Sequence, residues 1–542
     1  MNKDQNLANY WQSKAEIESQ QLPENFRELI NRAVDKFGEQ CAINCFEQGK
    51  SLSYVELRDS VNRLADGLTS IGIGKGSHVA VMLSNRIEYQ ISWLALGVLG
   101  AVMIPVNTRY TANEIDYLIN DGDGEFFITE AEFLPLIKSM QKRPTHLSDG
   151  RVVVVDESKI DFYSNWFDLQ KKGSASFVPQ WDIKASDLMN IQYTSGTTGF
   201  PKGCMQAQRY WIVLGTSCFL MNPTIKSLLS DHPFFYMDPQ WQLILGLYGG
   251  ATVYSACKLS ASKFVERLNR FNIEMGFFPR PLISEVATSE QIKTPLKKLY
   301  TLGMGINAQK QIGKTMGLWP FDVFGMTEIG MGVGVPTELA GDDDILGTCG
   351  VASPFREARV ALDDGSEANT DEVGELWIRG DGIFQGYYKK PQANTESFSG
   401  DWFKTGDLFI RDNKGYHRIV GRKKDMIRRS SENISALEVE QVLSVHPKIK
   451  QAAAVAVPDD YRGEEVKVYL LLREGEVKES IPPHLVIEHC RTKLAEFKIP
   501  RFIEYVAELP YTPSEKVAKH KLVAGKEDLR IGSWDALEEK WC

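Results

Sequence analysis

Alternating helix and strand patterns between residues 24 and 185 restrict the fold of this chain more than any other feature. Phe26 to Phe37 and Tyr54 to Leu68 carry apolar residues at helical spacing, and the short apolar run Val79 to Leu83 is typical of a strand. Arg86 to Leu99 returns to the helical pattern. Such alternation indicates βαβ units, in which helices cover a sheet. The predicted fold class is therefore α/β.

Size and composition narrow the class of protein. The 542 residues are enough for about three or four domains or subdomains. The net charge of -9 argues against nucleic acid or an anionic membrane as the main partner. The longest apolar run, Trp93 to Val106, is too short to span a bilayer. With no signal peptide and eight cysteines that form no C-x-x-C pair, we expect a cytoplasmic protein without an integral membrane segment.

A loop rich in glycine and hydroxyl side chains follows the predicted strand Leu188 to Gln192. Residues 193 to 203 hold three glycines, four Ser or Thr hydroxyls and Lys202. Glycines let backbone N–H groups come close to an anion, and the lysine adds a mobile charge. A solvated surface loop is the alternative that composition alone would favour. The spacing differs from the Walker loop and from the dinucleotide G-x-G-x-x-G loop, so we predict a phosphate site of another kind.

In residue order this loop resembles the signature loop of the adenylate-forming superfamily, which includes acyl-CoA synthetases, peptide-synthetase adenylation domains and beetle luciferases. Further blocks similar to that family follow one another from Leu52 to Lys516. The branches that the chain most resembles are crotonobetaine/carnitine-CoA ligases and medium-chain acyl-CoA ligases. The resemblance covers almost the whole chain.

The resemblance implies a domain organisation. It gives a large N-terminal domain of two helix-covered sheet subdomains plus a small β-subdomain, followed by a smaller, mobile α+β C-terminal domain. We place the N-terminal adenylation domain, with the ATP and acyl sites, at residues 1–423. The C-terminal domain, at residues 424–542, would carry the catalytic lysine.

The family pattern also implies which residues contact ATP. Phe324 would stack on adenine, Asp322 would accept from the adenine amino group, and Asp407 would accept from both ribose hydroxyls because a carboxylate offers two acceptor oxygens. Thr327 would meet a phosphate, and Arg422 would reach the nucleotide. The full predicted set is Thr194, Ser195, Gly196, Thr197, Thr198, Gly199, Gly303, Met304, Gly305, Asp322, Phe324, Gly325, Met326, Thr327, Asp407, Arg422 and Lys516.

Four of the matched residues are predicted to be catalytic, namely Lys202, Thr327, Glu328 and Lys516. Glu328 is also the predicted ligand of Mg²⁺, which on nucleotide phosphates typically needs one or two protein carboxylates. Lys516 falls on the family's catalytic lysine, although Glu515 replaces the usual glycine before it. Joining a carboxylate to a phosphate brings two anions together, so these groups would act by charge neutralisation and positioning. The alternative for Glu328 and Lys516 is a solvated surface side chain.

The acyl pocket and the hinge are assigned in the same way. Tyr236 stands where the family often has histidine, and with Trp241, Met304 and Met331 it is predicted to line the substrate pocket. Lys424 falls on the family's hinge residue, at which the C-terminal domain would rotate.

We therefore predict an AMP-forming acid–thiol ligase that uses ATP, Mg²⁺ and coenzyme A. It would activate a small carboxylic acid as acyl-AMP, release pyrophosphate, and transfer the acyl group to the CoA thiol. CoA is preferred because the chain ends soon after Lys516, without an appended carrier domain. Three alternatives stay open: an adenylation enzyme that loads a carrier protein, a non-catalytic nucleotide or acyl binder, and a luciferase-like oxygenase. The sequence leaves a homodimer open.

Overall fold

A computed structural model describes residues 3–194, 201–279, 282, 291–302, 304, 306–430, 432–459, 461–512 and 516–542. Its α-helices are α1 (Lys3–Glu18), α2 (Phe26–Phe37), α3 (Tyr54–Ser70), α4 (Ile87–Leu99), α5 (Ala112–Asp121), α6 (Leu134–Lys138), α7 (Trp166–Lys172), α8 (Gln208–Leu220), α9 (Met237–Gly249), α10 (Phe264–Arg270), α11 (Ile306–Met316), α12 (Pro391–Ser397), α13 (Ala436–Ser444), α14 (Pro483–Arg491) and α15 (Lys519–Val523).

The strands are β1 (Cys41–Cys45), β2 (Lys50–Ser53), β3 (His78–Met82), β4 (Val102–Pro105), β5 (Phe126–Thr129), β6 (Val152–Val154), β7 (Ser164–Asn165), β8 (Leu188–Thr194), β9 (Lys202–Ala207), β10 (Ser227–Ser230), β11 (Thr252–Ser255), β12 (Met275–Phe277), β13 (Lys298–Leu302), β14 (Pro320–Met326), β15 (Gly330–Gly334), β16 (Val351–Ala352), β17 (Glu357–Ala361), β18 (Gly374–Arg379), β19 (Phe398–Ser399), β20 (Trp402–Arg411), β21 (His417–Arg422), β22 (Met426–Arg429), β23 (Glu432–Ser435), β24 (Ile449–Asp459), β25 (Gly463–Leu472), β26 (Phe502–Val506), β27 (Trp534–Asp535) and β28 (Lys540–Trp541).

These strands form four sheets within the described residues. The first has the order β7-β6-β5-β3-β4-β8-β9 and the second β16-β15-β14-β13-β12-β10-β11-β1-β2. The third has the order β17-β18-β20-β19, with β21 beside β20, and the fourth β23-β22-β25-β26-β27-β28, with β24 beside β25. The inner strands of the first two sheets run parallel, whereas the third sheet is antiparallel. Two helix-covered sheets, a small β-subdomain and an α+β unit are the predicted fold class.

Helices α4, α8 and α9 form the centre of the large unit. Every residue of α4 and most residues of α8 and α9 are buried, as expected for helices that are apolar on all sides. They contact strands of both the first and the second sheet. On α4, the Trp93 ring packs edge-to-face against Phe26, Trp211 and Phe234, and its indole N–H donates to Asn190 Oδ1 on β8. This packing joins the two sheets into one body.

The chain passes from the third sheet to the fourth at residues 422 to 426. Strand β21 ends at Arg422, residues Lys423–Asp425 form a 3₁₀ turn, and β22 begins at Met426. The fourth sheet and α13 share a hydrophobic core of their own, in which Ile434, Val468 and Ile503 are fully buried. No helix among the described residues is long and apolar enough to cross a membrane.

Candidate active site

Several predicted site residues lie at the carboxyl ends of parallel strands, where open α/β sheets bind their ligands. Strand β8 ends at Thr194, β13 at Leu302 and β14 at Met326. Met304 follows β13 and is buried. The predicted residues Ser195, Gly196, Thr197, Thr198, Gly199, Gly303 and Gly305 lie outside the described residues.

Both ends of the glycine-rich loop are anchored by the β8–β9 hairpin. Thr194 pairs with Lys202 in the antiparallel ladder, and the Thr194 hydroxyl donates to the Lys202 carbonyl at 3.5 Å. The Pro201 carbonyl accepts from Tyr117 Oη at 2.8 Å, and the Gly203 carbonyl accepts from the Tyr388 N–H at 2.8 Å. The described residues on both sides of the loop are therefore fixed by these contacts.

A tight turn between β14 and β15 carries Thr327 and Glu328. The Thr327 carbonyl accepts from Gln206 Nε2 at 2.8 Å and from Tyr210 Oη at 3.0 Å, which ties the turn to β9 and α8. A side chain on Gly325 would place its Cβ 2.5 Å from the Gly330 carbonyl oxygen, so the two strands approach too closely for any other residue. The turn is held from the side that faces the first sheet.

Tyr387 links Glu328 to Lys202. Glu328 is 6% exposed, and its Oε1 accepts from Tyr387 Oη at 2.8 Å. The Lys202 ammonium lies 4.0 Å from the centre of the same Tyr387 ring, a cation–π contact. Burial raises the pKa of Glu328, while Tyr387, Lys202 and Lys516 act to lower it. The structure therefore brings the predicted metal ligand and the loop lysine together.

The guanidinium of Arg356 also supports the turn between β14 and β15. Arg356 is 2% exposed, and its Nε and Nη2 both donate to the Ile329 carbonyl, at 3.0 and 2.8 Å. It also donates to the carbonyls of Phe355 and Gly382. Burial lowers the pKa of Arg356 to about 10. A buried cation satisfied by main-chain carbonyls thus fixes the residue that follows Glu328.

Asp322 and Phe324 lie on β14. The Asp322 carboxylate is buried and accepts from Gln309 Nε2 at 2.9 Å, and the same nitrogen donates to the Met304 carbonyl at 2.7 Å. Gln309 therefore connects Asp322 with Met304, two residues of the predicted nucleotide-binding set. The Phe324 ring packs edge-to-face on Phe409 at 5.0 Å. Met326 and Phe324 are both half-buried.

Asp407 and Arg422 are direct partners in the β20–β21 ladder. Asp407 is 5% exposed, and Arg422 Nε lies 3.5 Å from its Oδ1. Burial raises the pKa of Asp407 to about 6, although the charges of Arg422 and Lys516 act to lower it. A carboxylate with so high a pKa gains from hydrogen-bond donors or cations that a ligand would bring.

Lys516 faces these groups from the C-terminal unit. Burial lowers the pKa of Lys516, and so does the charge of Arg422, whereas Asp407, Asp238 and Glu328 act to raise it. The Lys516 residue is exposed to solvent. The structure thus brings Lys516, Asp407 and Glu328 within electrostatic reach of one another.

A short hydrogen-bonded turn carries Lys516. The Thr512 N–H donates to the Lys516 carbonyl at 2.7 Å, and the Lys516 N–H donates to Thr512 Oγ1 at 3.2 Å. Residues 513–515, which include Glu515, lie outside the described residues. The predicted hinge residue Lys424 is exposed, in the 3₁₀ turn after β21.

The predicted acyl pocket lies around the start of α9. Tyr236 is half-buried just before this helix, and its Oη accepts from Asn107 Nδ2 at 3.4 Å. Trp241 is buried one turn into the helix, and it packs in the same hydrophobic cluster as Tyr236 and the half-buried Met331. Met304 belongs to a separate cluster. Three of the four predicted residues therefore pack in the same large hydrophobic core.

The donor set fits magnesium. Glu328 supplies a hard carboxylate oxygen, and its raised pKa indicates that its negative charge lacks full compensation. Among the described residues, no group of three or more His, Cys, Asp or Glu side chains could hold a metal ion. A single carboxylate suits Mg²⁺, which keeps waters and takes phosphate oxygens as its other ligands.

Sequence patterns do not identify three of the residues that support the site, namely Tyr387, Arg356 and Gln309. Tyr387 stands 59 positions along the chain from Glu328. None of the three stands in a motif or in a periodic pattern that would mark it as a site residue. Their importance comes from tertiary contacts.

Comparisons with known proteins find similar sequences and similar folds. A sequence profile of the AMP-binding enzyme family matches residues 30–388, and one of the AMP-binding enzyme C-terminal domain matches residues 438–516. The crotonobetaine/carnitine–CoA ligase of Escherichia coli is 27% identical over 517 residues, which cover 92% of this chain and 99% of that protein.

Solved structures share the fold. The anthranilate CoA ligase AuaEII in complex with anthranoyl-AMP has a TM-score of 0.84 at 22% identity, covering 93% of this chain and 98% of that chain. The o-succinylbenzoate coenzyme A synthetase (MenE) of Bacillus subtilis, in complex with ATP and magnesium ion, has a TM-score of 0.79 at 23% identity, covering 92% and 99%. The predicted fold and the predicted resemblance are confirmed.

Proposed function

This chain belongs to the AMP-binding enzyme family, and on that premise we propose that it is an ATP-dependent acyl-CoA ligase. It activates a small carboxylic acid as acyl-AMP with release of pyrophosphate, and then transfers the acyl group to the thiol of CoA. The names of its relatives, which are CoA ligases, support the acid and CoA as substrates.

One observation supports this function above the others. Lys516, near the end of the C-terminal unit, lies within electrostatic reach of Glu328 and Asp407, which belong to the second and third sheets. Carboxylates and cations that converge on one cleft are typical of sites where a charged reaction centre is stabilised.

The chemistry follows from charge. A carboxylate attacks the α-phosphate of ATP as one anion attacking another, so the site must neutralise the repulsion. Lys202 and Lys516 would supply positive charge, and the loop between Thr194 and Lys202 would offer backbone N–H donors. Each well-placed donor or cation would contribute about 3 kcal/mol to the lowering of the barrier.

Glu328 would hold Mg²⁺, which when bound neutralises and orients the phosphate oxygens. Tyr387 keeps the Glu328 carboxylate in one orientation through its hydrogen bond. Asp407 would accept from the ribose hydroxyls, Phe324 would pack against adenine, and Thr327 would contact a phosphate. The raised pKa of Asp407 supports this role, because a bound donor would stabilise its charge.

We also propose the division at residue 424. Residues 1–423 form the adenylation domain, and residues 424–542 form a domain that rotates about Lys424 between the two half-reactions. The support is the passage from the third to the fourth sheet at residues 422 to 426, together with the separate core of the fourth sheet.

Release of pyrophosphate from ATP tests the function directly. With Mg²⁺ and a panel of carboxylic acids, at least one acid should stimulate release, and CoA should convert the bound adenylate into acyl-CoA and AMP. Stimulation by an acid without any thioester on free CoA would favour a carrier protein as the acceptor. If no acid in a broad panel stimulates release, the ligase function is contradicted.

A further inference from the structure

Asp121 is a mostly buried carboxylate at the end of helix α5, where helix stability does not explain an acidic residue. It is the last residue of the helix, and its side chain is 11% exposed. The carboxyl end of a helix carries partial negative charge and disfavours an acidic side chain. Burial adds a further cost unless the carboxylate is paired and hydrogen-bonded. Partners outside α5 must therefore stabilise Asp121.

The first partner of Asp121 is Tyr193 on β8. Tyr193 Oη donates to Asp121 Oδ2 at 2.9 Å. A side chain at Gly122 would crowd this contact, because its Cβ would lie 3.1 Å from Tyr193 Oη. The next residue of β8 is Thr194, which pairs with Lys202 in the β8–β9 ladder. Asp121 therefore binds the hairpin one residue before the pair from which the glycine-rich loop leaves.

The second partner is Lys390, at the end of a segment that runs along β9. This segment, residues 385–390, is here called the strap. Main-chain hydrogen bonds of 2.7 to 2.9 Å join the strap to Gly203 and Met205 of β9. The Lys390 ammonium forms an ion pair with Asp121 Oδ1. Asp121 thus binds the hairpin with one carboxylate oxygen and the strap with the other.

The hairpin and the strap meet at Lys202. The Lys202 backbone belongs to the hairpin, and its ammonium lies 4.0 Å from the centre of the Tyr387 ring in the strap. Tyr387 also donates to Glu328 at 2.8 Å. A movement of the hairpin against the strap would therefore change the position of Lys202 relative to Glu328.

Asp123, just past the end of α5, offers a close comparison. Its side chain is 48% exposed, and it accepts from Tyr388 Oη at 2.8 Å and from Lys389 Nζ at 2.6 Å. Both partners belong to the strap. Two acidic residues thus bind the strap, but among the described contacts Asp121 alone of the two also binds β8.

We propose that Asp121 is a positioning residue for adenylate formation. By joining the hairpin to the strap, it keeps the Lys202 ammonium in place beside the predicted metal ligand Glu328. This inference rests on the proposed ligase function, in which Lys202 neutralises charge at the attacked phosphate. Asp121 itself contacts neither the substrate nor the metal, and it acts through Tyr193 and Lys390.

The variant Asp121→Asn tests this role. Its amide oxygen can still accept from Tyr193, but it carries no charge to pair with Lys390. Pyrophosphate release with the best acid should slow by about 10- to 100-fold in kcat, because a misplacement of about 1 Å at a reacting centre can cost about 100-fold. Thioester formation from supplied acyl-AMP and CoA should stay within about twofold of the wild-type rate, since Lys202 serves the first step.

The matched control is Asp123→Asn. It removes the charge of an acidic residue that binds the same strap, and it suits the φ of +52° at this position, which both aspartate and asparagine tolerate. Both half-reactions of this variant should keep their wild-type rates. Urea titration of each variant measures stability separately from rate.

The variant Tyr193→Phe provides a second test that keeps all charges in place. It removes the hydroxyl that donates to Asp121 and keeps the ring. Adenylate formation should slow by about 3- to 10-fold, as expected for one lost hydrogen bond, without a change in thioester formation. This variant decides the question if Asp121→Asn does not fold.

The outcomes separate the two proposals. If Asp121→Asn slows both half-reactions equally, or slows adenylate formation no more than Asp123→Asn does, the positioning role is wrong and the ligase function stands. Wild-type rates of adenylate formation in Tyr193→Phe would likewise overturn the role. If no acid stimulates pyrophosphate release in the wild type, the ligase function fails and this inference fails with it.

Discussion

The two sides of the cleft are built very differently. On the side of the large unit, the turn that carries Glu328 is held by Tyr387, Gln206, Tyr210 and Arg356, and Gly325 leaves no space for a side chain beside Gly330. Gln206 lies on β9 and Tyr210 on α8, whereas Tyr387 and Arg356 lie in connecting segments. Such a site is rigid before any ligand arrives.

On the opposite side, Lys516 depends on local structure. Its turn is closed by two hydrogen bonds to Thr512, and the chain enters this domain through the exposed Lys424. Ser430, directly after β22, has a φ of +57°, a conformation that L-residues seldom adopt. In the proposed function, the fixed half would bind and orient ATP, and the separable half would supply Lys516 to one of the two half-reactions.

The largest effect is expected from Lys516→Ala. Loss of one cation at the reacting centre should slow adenylate formation by about 100- to 1,000-fold. Thioester formation from supplied acyl-AMP and CoA should stay close to the wild-type rate, because Lys516 serves the first step. Quenched-flow measurement of each half-reaction checks this. An equal loss of rate in both half-reactions would show that Lys516 is not specific to adenylate formation.

The variant Asp407→Asn should stabilise the fold and weaken the binding of ATP. Burial raises the pKa of Asp407 to about 6, so ionisation of this carboxyl group destabilises the folded protein. The free energy of unfolding falls as pH rises from about 4 to about 6, and the full loss is reached above about pH 6. The neutral amide of the variant carries no such cost. At about pH 7 the variant should gain about 2 to 3 kcal/mol in free energy of unfolding, with little gain near pH 4.

Chemical denaturation at the two pH values measures this difference, and calorimetric titration should show weaker binding of ATP. Equal stability of the variant and the wild type at both pH values would contradict the raised pKa of the buried Asp407 carboxyl group. Unchanged ATP affinity would contradict its role as the ribose acceptor.

Tyr387→Phe should weaken magnesium binding while leaving the fold intact. The ring that contacts Lys202 is kept, and the hydrogen bond to Glu328 is lost. Removal of a group that orients a metal ligand typically costs about 10-fold or more in metal affinity. Calorimetry of ATP binding with and without Mg²⁺ should show a loss only in the presence of the metal, and an equal loss in both conditions would assign Tyr387 to nucleotide binding.

Lys424→Pro should have a smaller, severalfold effect on one half-reaction. Proline fixes φ and would restrict rotation at the proposed hinge. Thioester formation should slow while adenylate formation keeps its rate, in single-turnover assays of each step. Equal rates of thioester formation in the variant and the wild type would show that the hinge is not at Lys424.

Ser430→Gly is expected to have the smallest effect. Glycine tolerates the positive φ that strains serine, but it also gains more entropy in the unfolded chain. The net result should be a gain of about 0.5 to 1 kcal/mol in free energy of unfolding. Urea titration at neutral pH checks this, and a loss of stability would show that the Ser430 side chain makes contacts that outweigh the strain.

Sequence patterns were sufficient for the fold. Phe26–Phe37 is a helix with the predicted bounds, since its apolar stripe and the Asn25 cap are local signals. Motif order likewise led to Lys202, Glu328 and Asp407, because each stands in a block of distinctive residues. Their roles remain predictions, although the structure places these side chains around one cleft with Lys516.

The supporting residues could not be predicted. Arg356 binds the carbonyl of Ile329 only because the third sheet packs under the β14–β15 turn, and Gln309 reaches Asp322 from the preceding helix α11.

A crystal structure with ATP, Mg²⁺ and no acid would test the central claim most directly, through the distance from Lys516 Nζ to the α-phosphate. The two halves are expected to meet around one nucleotide, with Nζ within hydrogen-bond distance of an α-phosphate oxygen and the metal on Glu328. A nucleotide bound by the large domain while Lys516 stays remote in every arrangement of the domains would contradict the account.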